Sequence, residues 1–401
     1  MAVYSQDGLG LGHLRRTSSI TSGLLRARAD LTALAVCDSP VDQMFGPHER
    51  YDRLKLPTVA KRSPGVWEAV ALQDDITTVF DLRAKVLSVV LVAYEPDLVL
   101  VDHMPHGAMG ELIGALEALR AHKPDVRIVL GLRDIIDASD VVRTRWMAEG
   151  AYETVERLYD RVLVYGSPDV YDLAAEYGFG PAVRSRTRYC GYVVAPQPSI
   201  DRASARVTLM PELEPDRPLV VVMGGSGHDA APMMACAASC AQSSARTDSW
   251  ATVIVCGPNM PAGARRELAS RLPPERGQVL ASVGSSQVVL AAADVVVSMA
   301  GYNTTTEILA SGTPAVLIPR RGPSLEQRTR AALFAERGWV RRVDPDDLSP
   351  VALSEALHES LTSVADASRW TTSPDLGGLD TAVEELLCLI GAADLSAATS
   401  A

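Results

Sequence analysis

The sequence predicts an α/β protein of two Rossmann-like domains, and three observations carry that expectation. Short apolar runs alternate with longer amphipathic stretches, the alternation pauses once near mid-chain, and each half opens with a strand leading into a glycine-rich loop. At 401 residues the chain is too long for one ordinary core, so two domains of roughly 150–200 residues each are expected.

In the first half the apolar runs are Ala2 to Tyr4, Leu31 to Cys37, Leu98 to Val101, Val126 to Leu130 and Val162 to Tyr165. After Pro218 they are Leu219 to Met223, Thr252 to Cys256, Val279 to Ala281, Val295 to Ser298 and Ala315 to Ile318. Runs this short, rich in Val and Leu, fit strands buried on both faces. Helical patterns lie between them, such as Ala108 to Ala121 and Val141 to Leu158. Alternation of this kind means parallel sheets with right-handed crossovers. From Val194 to Pro218 the pattern lapses into a proline-rich stretch with Pro196, Pro198, Pro211, Pro215 and Pro218, the natural linker. The expected organisation is a first domain over 1–195, a linker over 196–217, a second domain over 218–372 and a C-terminal segment over 373–401. In that segment Ser373-Pro374 and Gly377-Gly378 are turn signals, Leu379 to Ile390 reads as one amphipathic helix, and the small, polar stretch from Ala392 reads as a disordered tail.

Hydrophobic residues make up 47% of the chain and charged residues 22%, as in a globular protein. The formal net charge of -11 argues against a nucleic-acid groove or a broadly basic membrane surface. Cys37, Cys190, Cys236, Cys240, Cys256 and Cys388 form no CxxC pair and no set with zinc spacing, so they read as reduced core residues. The N-terminus carries no basic stretch before an apolar one, and no apolar run reaches the about 18 residues of a membrane span. A cytoplasmic protein with no integral membrane segment is expected.

The first loop runs Asp7-Gly8-Leu9-Gly10-Leu11-Gly12-His13-Leu14-Arg15-Arg16. Gly8 and Gly10, with Asp38 after the second strand, match part of a dinucleotide fingerprint, but His13 stands at the third glycine position. An imidazole at a helix start is pushed toward its neutral form, which suits a base. The structural alternative is a glycine turn with His13 as a cap. The second loop is Gly224-Gly225-Ser226-Gly227-His228-Asp229, where capping by Ser226 or Asp229 competes with ligand binding. The third segment runs from Ser298 through Gly301-Tyr302-Asn303-Thr304-Thr305-Thr306-Glu307 to Gly312 and Pro314, and on through Pro319-Arg320 to Glu326-Gln327. A helix starting at Asn303 or Thr304 offers N–H groups to a phosphate, Glu307 can accept from ribose hydroxyls, and Glu326 and Gln327 can reach a sugar. Taken singly these residues read as structural, with Thr304 and Glu307 as a capping box. Together they put polar groups in two adjacent loops at the C-terminal edge of one sheet, where open α/β sheets bind ligands.

This segment resembles the C-terminal half of GT-B glycosyltransferases of the MurG type, glycosyltransferase family 28. It is most similar to a bacterial group with a Gly-Tyr-Asn-Thr, Glu, Gly, Pro-Arg, Glu-Gln, Arg-Ala pattern, met here by 301–304, Glu307, Gly312, 319–320, 326–327 and 330–331. The loops at Gly8 to Arg16 and Gly224 to Gly227 resemble the acceptor-side Gly-x-Gly-His loop and the Gly-Gly-Ser loop of the same fold. The resemblance implies two Rossmann-like domains with parallel sheets facing across a cleft, and a final helix returning to the first domain. It implies a nucleotide-sugar donor on the second domain. Gly225, Ser226, Gly301, Tyr302, Asn303, Thr304 and Thr305 would serve the diphosphate, Glu307 the ribose, and Arg320, Glu326 and Gln327 the rest of the donor. Ser282 and Val283 would lie against the base, with recognition largely by backbone. A small-molecule or glycan acceptor would sit near Gly10, Gly12, His13 and His103. No cofactor or metal is implied, because helix dipoles and side chains stabilise the leaving diphosphate. The first loop departs from the Gly-Gly-Thr-Gly-Gly-His of the type, and Met299-Ala300 stands where the bacterial group often has further glycine.

Sugar transfer needs a base for the acceptor hydroxyl. His13 and Asp102 are the candidates, with Arg133-Asp134 a third site; Asp102 alternatively caps a helix from Gly107. Three other functions use the same residues: a nucleotide-sugar hydrolase of the same fold, an NAD-dependent oxidoreductase using Gly8, Gly10 and Asp38, and a nucleotide-sugar-binding regulator without turnover.

Overall fold

The structure of the chain is a computed structural model that describes residues 1–6, 12–39, 49–63, 66–196, 200–214, 216–225, 227, 229–243, 250–362 and 372–398. Gly8, Gly10, Ser226 and His228 lie outside the described residues. The chain divides into two compact units, one formed by Met1–Ala195 with Asp375–Ala401, the other by Pro196–Pro374.

The first unit contains strands β1 (Ala2–Ser5), β2 (Ala33–Cys37), β3 (Tyr51–Lys55), β4 (Val59–Ser63), β5 (Val66–Ala69), β6 (Leu98–Asp102), β7 (Arg127–Arg133), β8 (Arg161–Tyr165) and β9 (Thr187–Tyr189). Its helices are α1 (Gly12–Ala27), α2 (Ile76–Tyr94), α3 (Ile113–His122), α4 (Ser139–Glu149), α5 (Ala151–Leu158), α6 (Leu173–Glu176) and α7 (Pro181–Ser185). Seven strands form one parallel sheet in the order β3-β2-β1-β6-β7-β8-β9, and β4 and β5 pair separately as an antiparallel hairpin. Every residue of β6 is buried, as a parallel sheet covered on both faces requires. The C-terminal helix, Gly378–Ala398, joins this unit. Gly23 of α1 lets it approach, since a Cβ there would meet Val383 Cγ2 at 2.7 Å. Gly191 N donates to Gly166 O, and Tyr192 N donates to Asp375 O at 2.7 Å, tying the returning chain to the same sheet.

The second unit contains β10 (Leu219–Met223), β11 (Ala251–Val255), β12 (Gly277–Leu280), β13 (Val295–Ser298), β14 (Ala315–Leu317) and β15 (Arg341–Arg342). Its helices are α8 (Arg202–Leu209), α9 (Ala231–Ser243), α10 (Ala262–Arg271), α11 (Ser286–Ala292), α12 (Tyr302–Ser311), α13 (Glu326–Glu336) and α14 (Pro350–Thr362), and the C-terminal helix is α15. The strand order β12-β11-β10-β13-β14-β15 is that of a Rossmann sheet, parallel throughout. In both sheets the order reverses beside the first strand, between β1 and β6 and between β10 and β13.

Several expectations are corrected. The 141–158 pattern is two helices, broken where Gly150 adopts a left-handed φ of 68°. The 108–121 pattern begins with a short 3-10 turn containing Met109 at φ 52°, and the helix proper starts at Ile113. The stretch read as a linker holds α8, capped by Asp201 accepting from Ser204 N at 2.9 Å. The segment from Ala392 continues α15 to Ala398 rather than forming a tail. Helix α12 begins at Tyr302 with Gly301 as its cap residue, so Thr304 and Glu307 form no capping box.

A buried polar network fixes α2 to the first sheet. Arg83, 0% exposed, donates from Nε and Nη2 to Glu111 at 2.6 Å each and from Nη1 to Asp38 at 3.2 Å. Tyr4 Oη donates to the same Glu111 at 2.6 Å. Burial alone would drive the Arg83 guanidinium toward neutrality, but Glu111 overrides it and the pKa moves up. Removing one partner of a buried ion pair strands the other, at about 3–5 kcal/mol. Glu111→Ala is therefore expected to destabilise the first unit by about that amount in urea unfolding. A loss under about 1 kcal/mol, the level of an exposed pair, would show that the pair is not structurally required.

Candidate functional site

In the first unit, the reversal of strand order brings the loop after β1 beside the end of β6. His13 and Arg16 lie three residues apart on α1 and so share a helix face. Both reach Asp102, the last residue of β6. His13 Nδ1 lies 2.5 Å from Asp102 Oδ2. Arg16 donates to Asp102 from Nε at 3.1 Å and from Nη2 to both oxygens at 2.8 Å. The Asp102 side chain is 0% exposed, Arg16 is 2% and His13 is 21%. Burial by itself would raise the Asp102 pKa, but Arg16 and then His13 pull it below the ordinary carboxylate value. With Asp102 anionic, His13 Nδ1 carries a proton toward it, so Nη2 of Arg16 at 3.2 Å is a neighbour of Nδ1 and not its donor. In the neutral ring this tautomer leaves the lone pair on Nε2. Asp102 therefore makes side-chain contacts across to α1, not the helix cap at Gly107.

His103 follows with a left-handed φ of 67°, and its N–H donates to Gly131 O at 2.8 Å. Its ring lies 4.9 Å from that of His13, tilted by 36°. Burial, then the charges of Arg133, His13 and Arg16, hold His103 well below the ordinary imidazole pKa, so it is neutral. Its Nδ1 is buried with no hydrogen-bond partner among the described residues. Tyr165, ending β8, lies under Arg16 with the guanidinium 5.4 Å from the ring centroid, and its phenol occupies the space above Gly131. Of the third candidate pair, Asp134 is buried and accepts from Ile135 N at 2.8 Å, while Arg133 donates to Ile136 O at 3.4 Å. Asp38 is spent on Arg83 and has no exposure, which removes it from the ribose-binding place of a dinucleotide site. Gly12 begins α1.

In the second unit, the loops after β10 and β13 flank the same kind of reversal. Gly224 and Gly227 have packing reasons, since a Cβ on either would meet Cys256 O at 2.5 or 2.6 Å. Gly225 is different: φ is 59°, it is exposed, and a Cβ would meet nothing within 4 Å. Gly301 at the start of α12 likewise has open space around it and no side-chain cap. Thr305 Oγ1 donates back to Gly301 O at 2.7 Å, whereas the Thr304 hydroxyl has no partner among the described residues. Asn303 and Thr304 are half-buried, and Tyr302 and Glu307 are buried at 6% and 3% exposure.

The loop after β14 is tied to this one. Fully buried Arg330 donates to Ala300 O at 2.7 Å and lies 5.7 Å from the centroid of Tyr302. Gln327 Oε1 accepts from Arg320 N at 3.1 Å, which leaves its amide NH₂ without a partner among the described residues. Glu326 Oε1 accepts from Arg320 Nη2 at 3.3 Å. Ser282 is exposed and Val283 half-buried in the loop after β12, just before Ser285 caps α11. Sequence reasoning gave no role to Arg16, Tyr165 or the hold of Arg330 on Ala300; the i, i+3 spacing of His13 and Arg16 was the available signal for the first. Among the described residues no group of three or more His, Cys, Asp or Glu is placed to hold a metal ion, and no helix is long and apolar enough to cross a membrane.

Residues 219–372 match the family model for the glycosyltransferase family 28 C-terminal domain. The chain is similar to a UDP-N-acetylglucosamine–N-acetylmuramyl-(pentapeptide) pyrophosphoryl-undecaprenol N-acetylglucosamine transferase of Paenarthrobacter aurescens (strain TC1), with 32% identity over 108 residues. That alignment covers 27% of this chain and 29% of the relative, so the chain matches under a third of its length. Among solved structures, MurG of Acinetobacter baumannii aligns over 96% of this chain and 99% of its own with 13% identity and a TM-score of 0.61. A UDP-GlcNAc 2-epimerase of Neisseria meningitidis bound to UDP-GlcNAc aligns over 97% and 99% with 11% identity and a TM-score of 0.59. A ugt transferase of Siraitia grosvenorii in complex with UDP aligns over 96% and 99% with 14% identity and a TM-score of 0.60. The chain thus has the GT-B fold, and its residues 219–372 match the glycosyltransferase family 28 C-terminal domain.

Proposed function

We propose that this protein transfers a sugar from a nucleoside-diphosphate donor, held by the second unit, to a hydroxyl of a small-molecule or glycan acceptor held by the first. The observation that carries this reading is the open, uncapped start of α12 at Gly301, backed one and a half turns on by buried Glu307, inside the family 28 domain. A helix N-terminus with space before it suits a diphosphate, and a carboxylate behind it suits a ribose. Gly225, exposed and free of packing demands, is the second diphosphate contact. Gln327 offers its free NH₂ to a sugar hydroxyl, while Arg320 and Glu326 hold each other in place beside it. Ser282 and Val283 flank the base. The leaving diphosphate is stabilised by helix dipole and side chains, with no cofactor in the scheme.

On the first unit, His13 Nε2 takes the acceptor proton. Asp102 is too buried and too well neutralised to be that base itself, and it acts by fixing the tautomer and orientation of His13. Arg16 keeps Asp102 ionised. The same activated imidazole would also activate water, so a nucleotide-sugar hydrolase is the second reading, and UDP-sugar turnover without acceptor separates the two.

Binding to UDP, GDP, dTDP and CDP is tested first by thermal shift. One diphosphate is expected to stabilise the protein, and Glu307→Ala to weaken it by about tenfold to a hundredfold, the worth of hydrogen bonds to a charged group. Stabilisation by NAD alone, or by no nucleotide, would sink the donor site. His13→Ala is expected to lower kcat by about 10²–10⁴ with nucleotide affinity unchanged; an unaltered kcat removes the base assignment. Asp102 has a depressed pKa, so its contribution to stability is full above the ordinary carboxylate value of 3.8 and is lost as pH falls through the depressed one. Asp102→Asn should therefore flatten the acid limb of stability against pH; an unchanged limb would show that the Arg16 and His13 contacts do not stabilise the anion.

A further inference from the structure

A cavity of about 630 Å³ lies in the second unit beside the reversal of strand order, between α9, the loop after β14 and the loop leading into α14, with Asp229 from the loop after β10 and Met299 from the loop after β13 in its wall. That volume is in the range of small-molecule sites. Its apolar surface comes from Met233, Cys236, Met299, Ile318 and Leu348, with Met233 and Ile318 buried at 3% and 2% exposure. Polar groups gather at the rim: Arg271, Arg320 and Arg321 against the single carboxylate of Asp229. Asp229 is already engaged, 3.6 Å from Arg320 Nη1. Arg271 and Arg321 have outward partners in Glu267 at 2.5 Å and Asp346 at 3.4 Å, both well exposed. Exposed pairs of this kind contribute little, and Arg321 also donates from Nε and Nη2 to Pro345 O at 3.2 and 3.0 Å, which keeps its guanidinium at the rim. Arg320 Nε is buried with no partner among the described residues.

We propose that this cavity binds an amphipathic anion, a molecule with a short acyl or aryl body and one carboxylate or phosphate head. An apolar floor excludes a free sugar or an inorganic anion as the preferred occupant, because neither would remove apolar surface from water. The excess of arginine at the rim selects a negative head over a neutral or cationic one. Arg320 belongs both to this rim and to the pair with Glu326, so an occupant that engages Arg320 also reaches the donor side of the domain.

The chain supplies its own reporter. Cys236 lines the cavity and is half-buried, Cys388 is exposed on α15, and the other four cysteines are buried. Burial raises the Cys236 thiol pKa, so alkylation is run at alkaline pH. The full-length protein is treated with iodoacetamide and the two peptides are followed by mass spectrometry, with octanoate, octyl phosphate, octanol or acetate added. Octanoate or octyl phosphate is expected to slow Cys236 by about tenfold at ten times its dissociation constant while Cys388 is unaffected, and the stronger of the two names the head group. Octanol and acetate should give little protection. Arg321→Gln should weaken the protection by the anion, and Ala235→Trp, which fills the cavity, should abolish it. Equal slowing of both cysteines, equal protection by octanol, or a Cys236 that never reacts would each overturn the proposal. Equal protection by a nucleoside diphosphate would overturn it too, by making the cavity part of the donor site. None of these readouts depends on sugar transfer.

Discussion

A parallel sheet covered by helices on both faces has no place for a polar side chain except at the ends of its strands. In this chain that constraint operates twice. β6 and β10 are buried along their whole length, so their chemistry is confined to where each strand stops. Because strand order reverses beside the first strand of each sheet, the neighbouring crossovers leave on opposite faces and a gap opens at the C-terminal edge. Asp102 and the start of α1 meet at one such gap, and Gly225 and Gly301 border the other. The sites follow from topology first, and residue identity then decides what each can do.

The two carboxylate clusters of the first unit show how identity decides. Glu111 and Asp38 surround Arg83 with no exposure on any of the three side chains, which leaves nothing for a substrate to touch. Asp102 and Arg16 are equally buried, but the third member, His13, keeps a fifth of its side chain in reach of solvent. A buried anion bridged to a partly exposed imidazole transmits its charge to a surface where chemistry can occur. Neutral His103 beside it adds no further positive charge to the histidine it packs against.

The central strands were legible because continuous Val and Leu runs have no other stable place. β3, with Asp52, Arg53 and Lys55 in a five-residue edge strand, and β15, two arginines long, carry no such signal: their pairing comes from a neighbour. The helix from 141 was read as single because Gly150 costs only about 1 kcal/mol inside a helix, so periodicity runs through it unmarked. The start of α12 was misplaced by one or two residues because Thr304 and Glu307 mimic a cap, whereas Gly301 gives no side-chain signal at all. His13, at a helix start, and Asp102, at a strand end, were both found, but as competitors; that they form one unit depends on the chain folding back over a sequence separation of 89, which no local pattern reports.

The hold of Arg330 on Ala300 and of Gln327 on Arg320 has an evolutionary meaning. The loop after β13 and the loop after β14 are cross-braced by side chains from a single helix, so neither can be reshaped alone without stranding a buried guanidinium or a backbone N–H. Residues 298–331 therefore behave as a cassette. A lineage that changes what this edge of the sheet binds would be expected to exchange that stretch as a block, and a chimera would be better cut at its two ends than anywhere inside it.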